Sequence, residues 1–257
     1  MKTFEQELKK IKLLINNLIN KNFLDLTIEN SKFIRSKLAL LYLLANDCKI
    51  TQEIHLIIAL GEIIHNASLL HDDVIDDAEL RRGKETIAKK FSPQISILAG
   101  DYLLSIVIEN LMKLNNSKIS PIFINCSKKM IEAEFEQYFM RGKIPSEKQY
   151  LEICKNKTAL LFSAVLQSCA ILVGENEVLA KEFGEDFGIC FQIKNDLEVN
   201  SAEIDLKNEI YTAKKVLGIE KTNSLLDNYK VKMKKALLNI PSSVYKEELE
   251  SLIGLLW

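Results

Sequence analysis

Apolar residues recur at spacings of three and four along almost the entire chain, and helix-breaking residues are scarce, with 9 glycines and 4 prolines among 257 residues. That period lines one face of a helix and not of a strand, whose repeat is two. The fold class that follows is all-α. Breaks at Asp47-Cys48-Lys49, Arg82-Gly83, Ser92-Pro93, Asn115-Asn116-Ser117, Arg141 to Pro145 and Gly174-Glu175-Asn176 divide the pattern into about eight to ten helices. The longest runs from Thr51 to about Asp77, with Thr51 as N-cap and Glu53 in its first turn. Pro121 suits a first helical turn, and Ile240-Pro241-Ser242-Ser243 breaks the chain before a final amphipathic helix.

A hydrophobic fraction of 47% is ample for one core, and no repeat or low-complexity linker divides the chain, so a single domain over 1–257 is expected. The net charge of −1 excludes a general nucleic-acid or acidic-membrane binder, which needs clustered cations. Five cysteines lie far apart with no CxxC pair, which points away from zinc and disulfides and toward a reducing cytoplasm. Met1 to Asn20 reads as a packing helix rather than a signal peptide. No segment is read as approaching the roughly 20 apolar residues of a membrane span, so a soluble protein without membrane insertion is expected.

The chemistry concentrates in His71-Asp72-Asp73-Val74-Ile75-Asp76-Asp77. On a helix Asp72 and Asp76 point the same way, with Asp73 and Asp77 displaced by about 100°. Two hard carboxylates at this spacing suit Mg²⁺, which completes its shell with water and phosphate oxygens. A solvated helix end has no use for such like-charge crowding. Arg81 and Arg82 follow, just before Gly83 turns the chain. Guanidinium forks pair with phosphate, so acids plus arginines read as metal plus diphosphate, with an ion-paired helix end as the plainer alternative. A lone His65 on an apolar helix is more often a core histidine.

From Glu62 to Asp101 the chain resembles the trans-polyprenyl diphosphate synthases, and among them the bacterial long-chain, octaprenyl-type enzymes. The match rests on Glu62-Ile63-Ile64-His65-Asn66-Ala67-Ser68-Leu69-Leu70-His71 leading into the acidic motif, then Arg81-Arg82-Gly83-Lys84 and Gly100-Asp101. It continues more weakly through Lys157-Thr158 and Phe191-Gln192. The resemblance implies an isoprenoid-synthase helical bundle around a central cavity, with catalytic helices over 1–200 and a shortened C-terminal helical region over 201–257. It implies a homodimer that condenses an allylic diphosphate with isopentenyl diphosphate, using two or three Mg²⁺ ions.

By the same resemblance, Asp72, Asp73 and Asp76 hold metal, and Arg81, Lys157, Thr158 and Gln192 contact the allylic diphosphate. Asp72, Asp76, Arg81 and Lys157 are the catalytic set. Lys32, Arg35, His65 and Arg82 fall on the isopentenyl diphosphate site, and Asn195 and Asp196 on the second metal motif. Ala67 and Ser68, both small, stand where product length is set and imply a medium or long chain, with Gly61 deeper.

Three departures stand out. Where the family reads Gly-Lys-Arg-x-Arg-Pro, this chain reads Ser31-Lys32-Phe33-Ile34-Arg35-Ser36. Where it reads Phe-Gln-x-x-Asp-Asp-x-x-Asp, this chain has Asn195 and Val199 at two acidic positions, with Asp196 and Glu198 nearby. The lysine-rich loop that follows is reduced to Lys207, Lys214 and Lys215, within an irregular stretch from Asn200 to Lys207. These departures motivate a second reading, a weakly active or non-catalytic diphosphate-binding subunit. Restoring charge with Asn195→Asp is expected to raise turnover. A terpene synthase is disfavoured by Lys32, Arg35, His65 and Arg82 together. The apolar helix near Pro93 to Leu114 is expected to offer Ile95, Ile97, Leu103, Ile106 and Ile108 to a second copy.

Overall fold

A computed structural model describes residues 1–19, 31–197 and 208–254. The calls on Glu198, Val199, Lys207 and the stretch up to it lie outside the described residues. In chain order come α1 (Lys2–Ile19), α2 (Ile34–Ala45), α3 (Gln52–Ile75), a hairpin of β1 (Leu80–Arg81) and β2 (Lys84–Glu85), α4 (Ile87–Lys90), α5 (Pro93–Leu114) and α6 (Ile119–Phe139). Then follow α7 (Glu147–Cys154), a π turn (Lys155–Ala159), α8 (Leu160–Val173), α9 (Glu177–Leu197), α10 (Ala213–Leu217), α11 (Ile219–Leu237) and α12 (Val244–Gly254).

The breaks act as the expected start and stop signals. Thr51 Oγ1 accepts from the Ile54 amide at the head of α3, Ser92 Oγ accepts from Ile95 with Pro93 in the first turn of α5, and Ser146 with Gln149 forms a capping box on α7. Asn115 and Gly174 end α5 and α8 in the left-handed conformation.

The hairpin is what the helical pattern missed. Arg81 pairs with Lys84 across a two-residue turn in which Arg82 and Gly83 both have positive φ, at 53° and 77°. Such turns match the twist of their strands. The two arginines therefore project from a hairpin beyond the end of α3.

α3 is the central element: Ile54, Ile57, Ile58, Ala59, Leu60, Ile63, Ile64 and Ala67 are all buried in the core. Gly61, read from sequence as a small residue deeper in a tunnel, is where α8 closes on α3, because a Cβ there would strike Val165. α9 lies equally tight on α8. A Cβ on Gly184 would come within 2.8 Å of the Ser163 Cα, and one on Gly188 would strike Ala159 in the π turn. These contacts fix the π turn against α9. Phe33, one of the departures, is buried with a left-handed φ of 50°, and Lys12 of α1 lies 4.8 Å over its ring.

Two sequence expectations are corrected. Three helical runs, Gln52–Ile75, Pro93–Leu114 and Glu147–Val173, are long and apolar enough to cross a membrane by length and composition. The fold explains their character in part: 56% and 67% of the apolar windows in the first and third are buried inside the molecule, against 39% in the second. On α5, Leu103 and Ile106 belong to the core and Ile95 is half-buried, while Ile97 and Ile108 are exposed together with Leu98 and Met112.

Candidate active site

His65, Ser68, Asp72 and Asp76 lie three to four residues apart along α3, so they form one stripe, and all are half-buried. Asp73 turns away and is buried, with Arg81 Nε donating to its Oδ1 at 2.6 Å. The hairpin is thereby tied to the helix that carries the acids. His71 lies against Gly100, which leaves room for the ring, and its Nε2 is 3.3 Å from Asp101 Oδ1. That contact accounts for the Gly100-Asp101 signal in the sequence.

Across the stripe stands the π turn. A π turn inserts an extra residue into a helix and re-aims its side chains. Lys157 and Thr158 are presented from it. Lys157 Nζ meets Glu134 Oε2 at 2.5 Å and Gln137 Oε1 at 2.7 Å, both from α6. Burial opposes its charge, yet Asp72 and Glu134 outweigh burial and raise its pKa. Burial pushes the Asp72 carboxyl up to about 7 against the pull of Lys157, and raises Asp76 likewise. Crowded carboxylates that resist ionisation are poised for a cation.

The second pole of the site is cationic. Arg35 is buried over the Phe162 ring at 4.6 Å, and burial lowers its pKa to about 10 despite Glu62. Glu62 itself accepts from the amide and hydroxyl of Ser36 at 3.0 and 2.8 Å. Arg35 Nε is buried with no hydrogen-bond partner, which is costly unless a ligand completes it. Burial lowers the pKa of His65 well below the ordinary value, and Arg35, Arg82 and Arg81 reinforce the shift. Its imidazole is neutral at pH 7. Arg35, His65, Arg81 and Arg82 thus share one neighbourhood, whereas Lys32 is exposed beside Phe33.

The end of α9 is built differently. Asp196 accepts from Tyr150 at 2.5 Å, from Gln192 Nε2 at 2.7 Å and from the Ala213 amide at 3.1 Å. Gln192 Oε1 in turn accepts from Thr158 at 2.7 Å. Asp196, Tyr150, Gln192 and Thr158 border a cavity of about 120 Å³ together with Lys157 and Gln137. Asn195 is half-buried, and Lys214 and Lys215 are exposed on α10.

The sequence pattern of the Polyprenyl synthetase family matches residues 16–219. The chain belongs to that family. A heptaprenyl diphosphate synthase component 2 from Bacillus subtilis is 40% identical over 152 residues, covering 56% of this chain and 43% of that one. The chain thus spans less than half the length of that relative. A prenyl transferase from Cyanidium caldarium is 32% identical over 236 residues, covering 86% of this chain and 73% of the other. The crystal structure of a heptaprenyl diphosphate synthase from Staphylococcus aureus superposes with a TM-score of 0.88 at 21% identity, covering 98% of this chain and 97% of that one. The isoprenoid-synthase fold is shared throughout.

Among the described residues, the donor chemistry fits a divalent cation at the first acidic motif. Asp72 and Asp76 suffice for Mg²⁺, which takes one or two carboxylates and fills its shell with water and phosphate. Among the described residues no three His, Cys, Asp or Glu side chains converge. Asp196 differs in its surroundings, because Tyr150, Gln192 and the Ala213 amide already donate to its two oxygens.

Sequence reasoning missed Glu134, Gln137, Tyr150, Arg141 and Asn208. Arg141 Nη2 donates to Asp76 Oδ1 at 2.6 Å, although the sequence marks it only as part of a break. Glu134 and Gln137 left no distinct signal, because the same helix also carries Lys128, Lys129, Glu132 and Glu136. Ala67 has no exposed surface, while Ser68 lies on the stripe and donates to the His65 carbonyl at 2.9 Å.

Proposed function

We propose that this chain is a prenyltransferase that condenses an allylic diphosphate with isopentenyl diphosphate to give a medium or long trans-polyprenyl diphosphate. The observation that carries the reading is the Asp72–Asp76 pair facing Lys157, with Arg35, His65, Arg81 and Arg82 gathered beside it. Two cationic poles beside one acidic pair suit two diphosphates.

Asp72 and Asp76 would hold Mg²⁺, which would supply positive charge at the leaving diphosphate, in keeping with the general dependence of the family on that ion. Lys157 and Arg81 grip the same oxygens, and Thr158 and Gln192 line the approach. Such fixed charges act where negative charge develops, and are typically worth several kcal/mol. The C1–oxygen bond breaks with its electron pair left on the diphosphate, the double bond of isopentenyl diphosphate attacks the allylic cation, and the resulting cation gives its C2 proton to the departed diphosphate as the new double bond forms. Arg35, Arg82 and neutral His65 orient the second substrate, with exposed Lys32 at its rim. No protein nucleophile takes part, and close packing around α3 keeps water from the cation.

Product length is read from the stripe below Asp72. Ser68 is small and half-buried on that stripe, so no bulky side chain closes the first turn there. Ser68 is the sharper handle, because Ala67 is enclosed by core and a ring there would overpack it. Exposed Ile97, Leu98, Ile108 and Met112 on α5, with Ile131, Phe135 and Phe139 on α6, suit a second copy of the chain. The name of the Bacillus relative, a component 2, makes an unlike partner the competing occupant. The free cysteines fit a cytoplasmic setting.

Radiolabelled isopentenyl diphosphate supplied with geranyl, farnesyl or geranylgeranyl primers tests this reading. Chains beyond farnesyl length are expected from wild type, and shorter ones from Ser68→Phe. No incorporation with any primer would favour the non-catalytic subunit.

A further inference from the structure

We propose that Arg141 is a built-in cation that occupies the place of one divalent ion at Asp76, so that the acidic motif of this chain binds metal more weakly than its two carboxylates alone would. The proposal rests on the reading of Asp72 and Asp76 as a metal pair.

The contact is held from several sides. Arg141 Nη2 donates to Asp76 Oδ1 at 2.6 Å, and Nη1 reaches Asn208 Oδ1 at 3.5 Å. Asn208 Nδ2 closes the triangle, lying 3.5 Å from Asp76 Oδ1 and 3.4 Å from the Asp76 carbonyl. The guanidinium stacks 4.7 Å from the Tyr138 ring centroid. Next to it, the Gly142 amide donates to the Glu209 carbonyl at 3.1 Å, with positive φ on both residues, 73° and 54°. Glycine is needed there, since a Cβ would meet Glu209 Oε2 at 2.8 Å. The turn after α6 and the segment before α10 are thus pinned together so as to aim one arginine at the acidic motif.

Charge and shape explain the consequence. A guanidinium within hydrogen-bond reach of a carboxylate uses the same lone pairs that a metal would take. It also repels a divalent ion placed beside it. The side chains of Arg141 and Asp76 are only 21% and 15% exposed, so water screens the pair poorly. This companion cation also offsets the weakened second motif, where Asn195 replaces a charged residue and Asp196 is engaged by Tyr150, Gln192 and Ala213. A site with one resident cation needs fewer ions to hold a diphosphate.

The test counts and weighs metal rather than product. Mn²⁺ is titrated into the protein in the presence of inorganic pyrophosphate and followed by the loss of its free electron paramagnetic resonance signal. Arg141→Gln is expected to bind Mn²⁺ at least about tenfold more tightly than wild type, because one nearby positive charge is gone. Asn208→Ala leaves the guanidinium but removes its brace, and is expected to tighten binding roughly threefold. It carries the test if Arg141→Gln does not fold. Affinity equal to wild type in the folded variants, with binding lost in Asp72→Ala, would overturn the role of Arg141 and leave the metal pair standing. Absence of pyrophosphate-dependent Mn²⁺ binding in every form would overturn the metal pair and this proposal with it.

Discussion

The ends of α3 and α9 both carry aspartates aimed at one cleft, and their surroundings have opposite character. At the end of α3, Asp72 and Asp76 face Lys157 and Arg141, long side chains from other elements, and burial raises both carboxyls. At the end of α9, Asp196 accepts from Tyr150, Gln192 and a backbone amide, all donors of the protein itself. An acidic residue whose partners can be exchanged for metal and phosphate is available to chemistry. One held by a main-chain donor and a buried phenol joins α7, α9 and α10 into a wall. The difference lies in the partners, which a motif does not display.

The largest effect that would sharpen this contrast is on stability. Asp196→Ala leaves three donors without an acceptor, and orphaned buried groups cost about 1–3 kcal/mol each where water cannot reach them. A loss of roughly 3 kcal/mol is expected in urea unfolding. Asp72→Ala should behave in the reverse sense. A carboxyl whose folded pKa is about 7, above its ordinary value of 3.8, contributes stability at acid pH and loses it as the pH rises through about 7. At pH 8 its removal is therefore expected to leave the melting temperature unchanged or higher.

A smaller effect concerns His65. Its pKa is lowered in the fold, so the unfolded chain binds the extra proton first, and stability falls as the pH drops below the ordinary value of 6.5. Melting curves from pH 8 to pH 5 should show a steeper acid loss for wild type than for His65→Gln. Parallel curves would mean that burial and the neighbouring arginines do not lower the pKa of the imidazole. The smallest effect is that of Asn195→Asp. The sequence alone suggests a gain in turnover, but with the neighbouring Asp196 engaged, the change is expected to stay below about threefold, under 1 kcal/mol. A tenfold gain would restore the second motif to the chemistry.

The helices and the acidic stripe were legible because their causes are local. Thr51 caps α3, and a spacing of four puts Asp72 and Asp76 on one face whatever surrounds them. Arg35, His65, Arg81 and Arg82 were legible as a set only through resemblance, since three separate elements bring them together. The hairpin escaped notice because two-residue strands leave no alternating pattern. The π turn at Lys155–Ala159 escaped because its cause lies in α9, where Gly188 lets Ala159 approach. The fate of Asp196 could not be read from its motif, since Tyr150 and Ala213 lie 46 and 17 residues away.

The most direct test of the contrast measures isopentenyl diphosphate incorporation by wild type, Asp72→Ala and Asp196→Ala, at a temperature where all three are folded by circular dichroism. Asp72→Ala is expected to lose turnover by about 100-fold or more, the loss of a transition-state charge contact of roughly 3 kcal/mol, while keeping its fold. Asp196→Ala is expected to retain at least about a tenth of wild-type turnover while unfolding at lower urea. Full turnover in Asp72→Ala, or an inactive Asp196→Ala with undiminished stability, would contradict the assignment of chemistry to α3 and structure to α9.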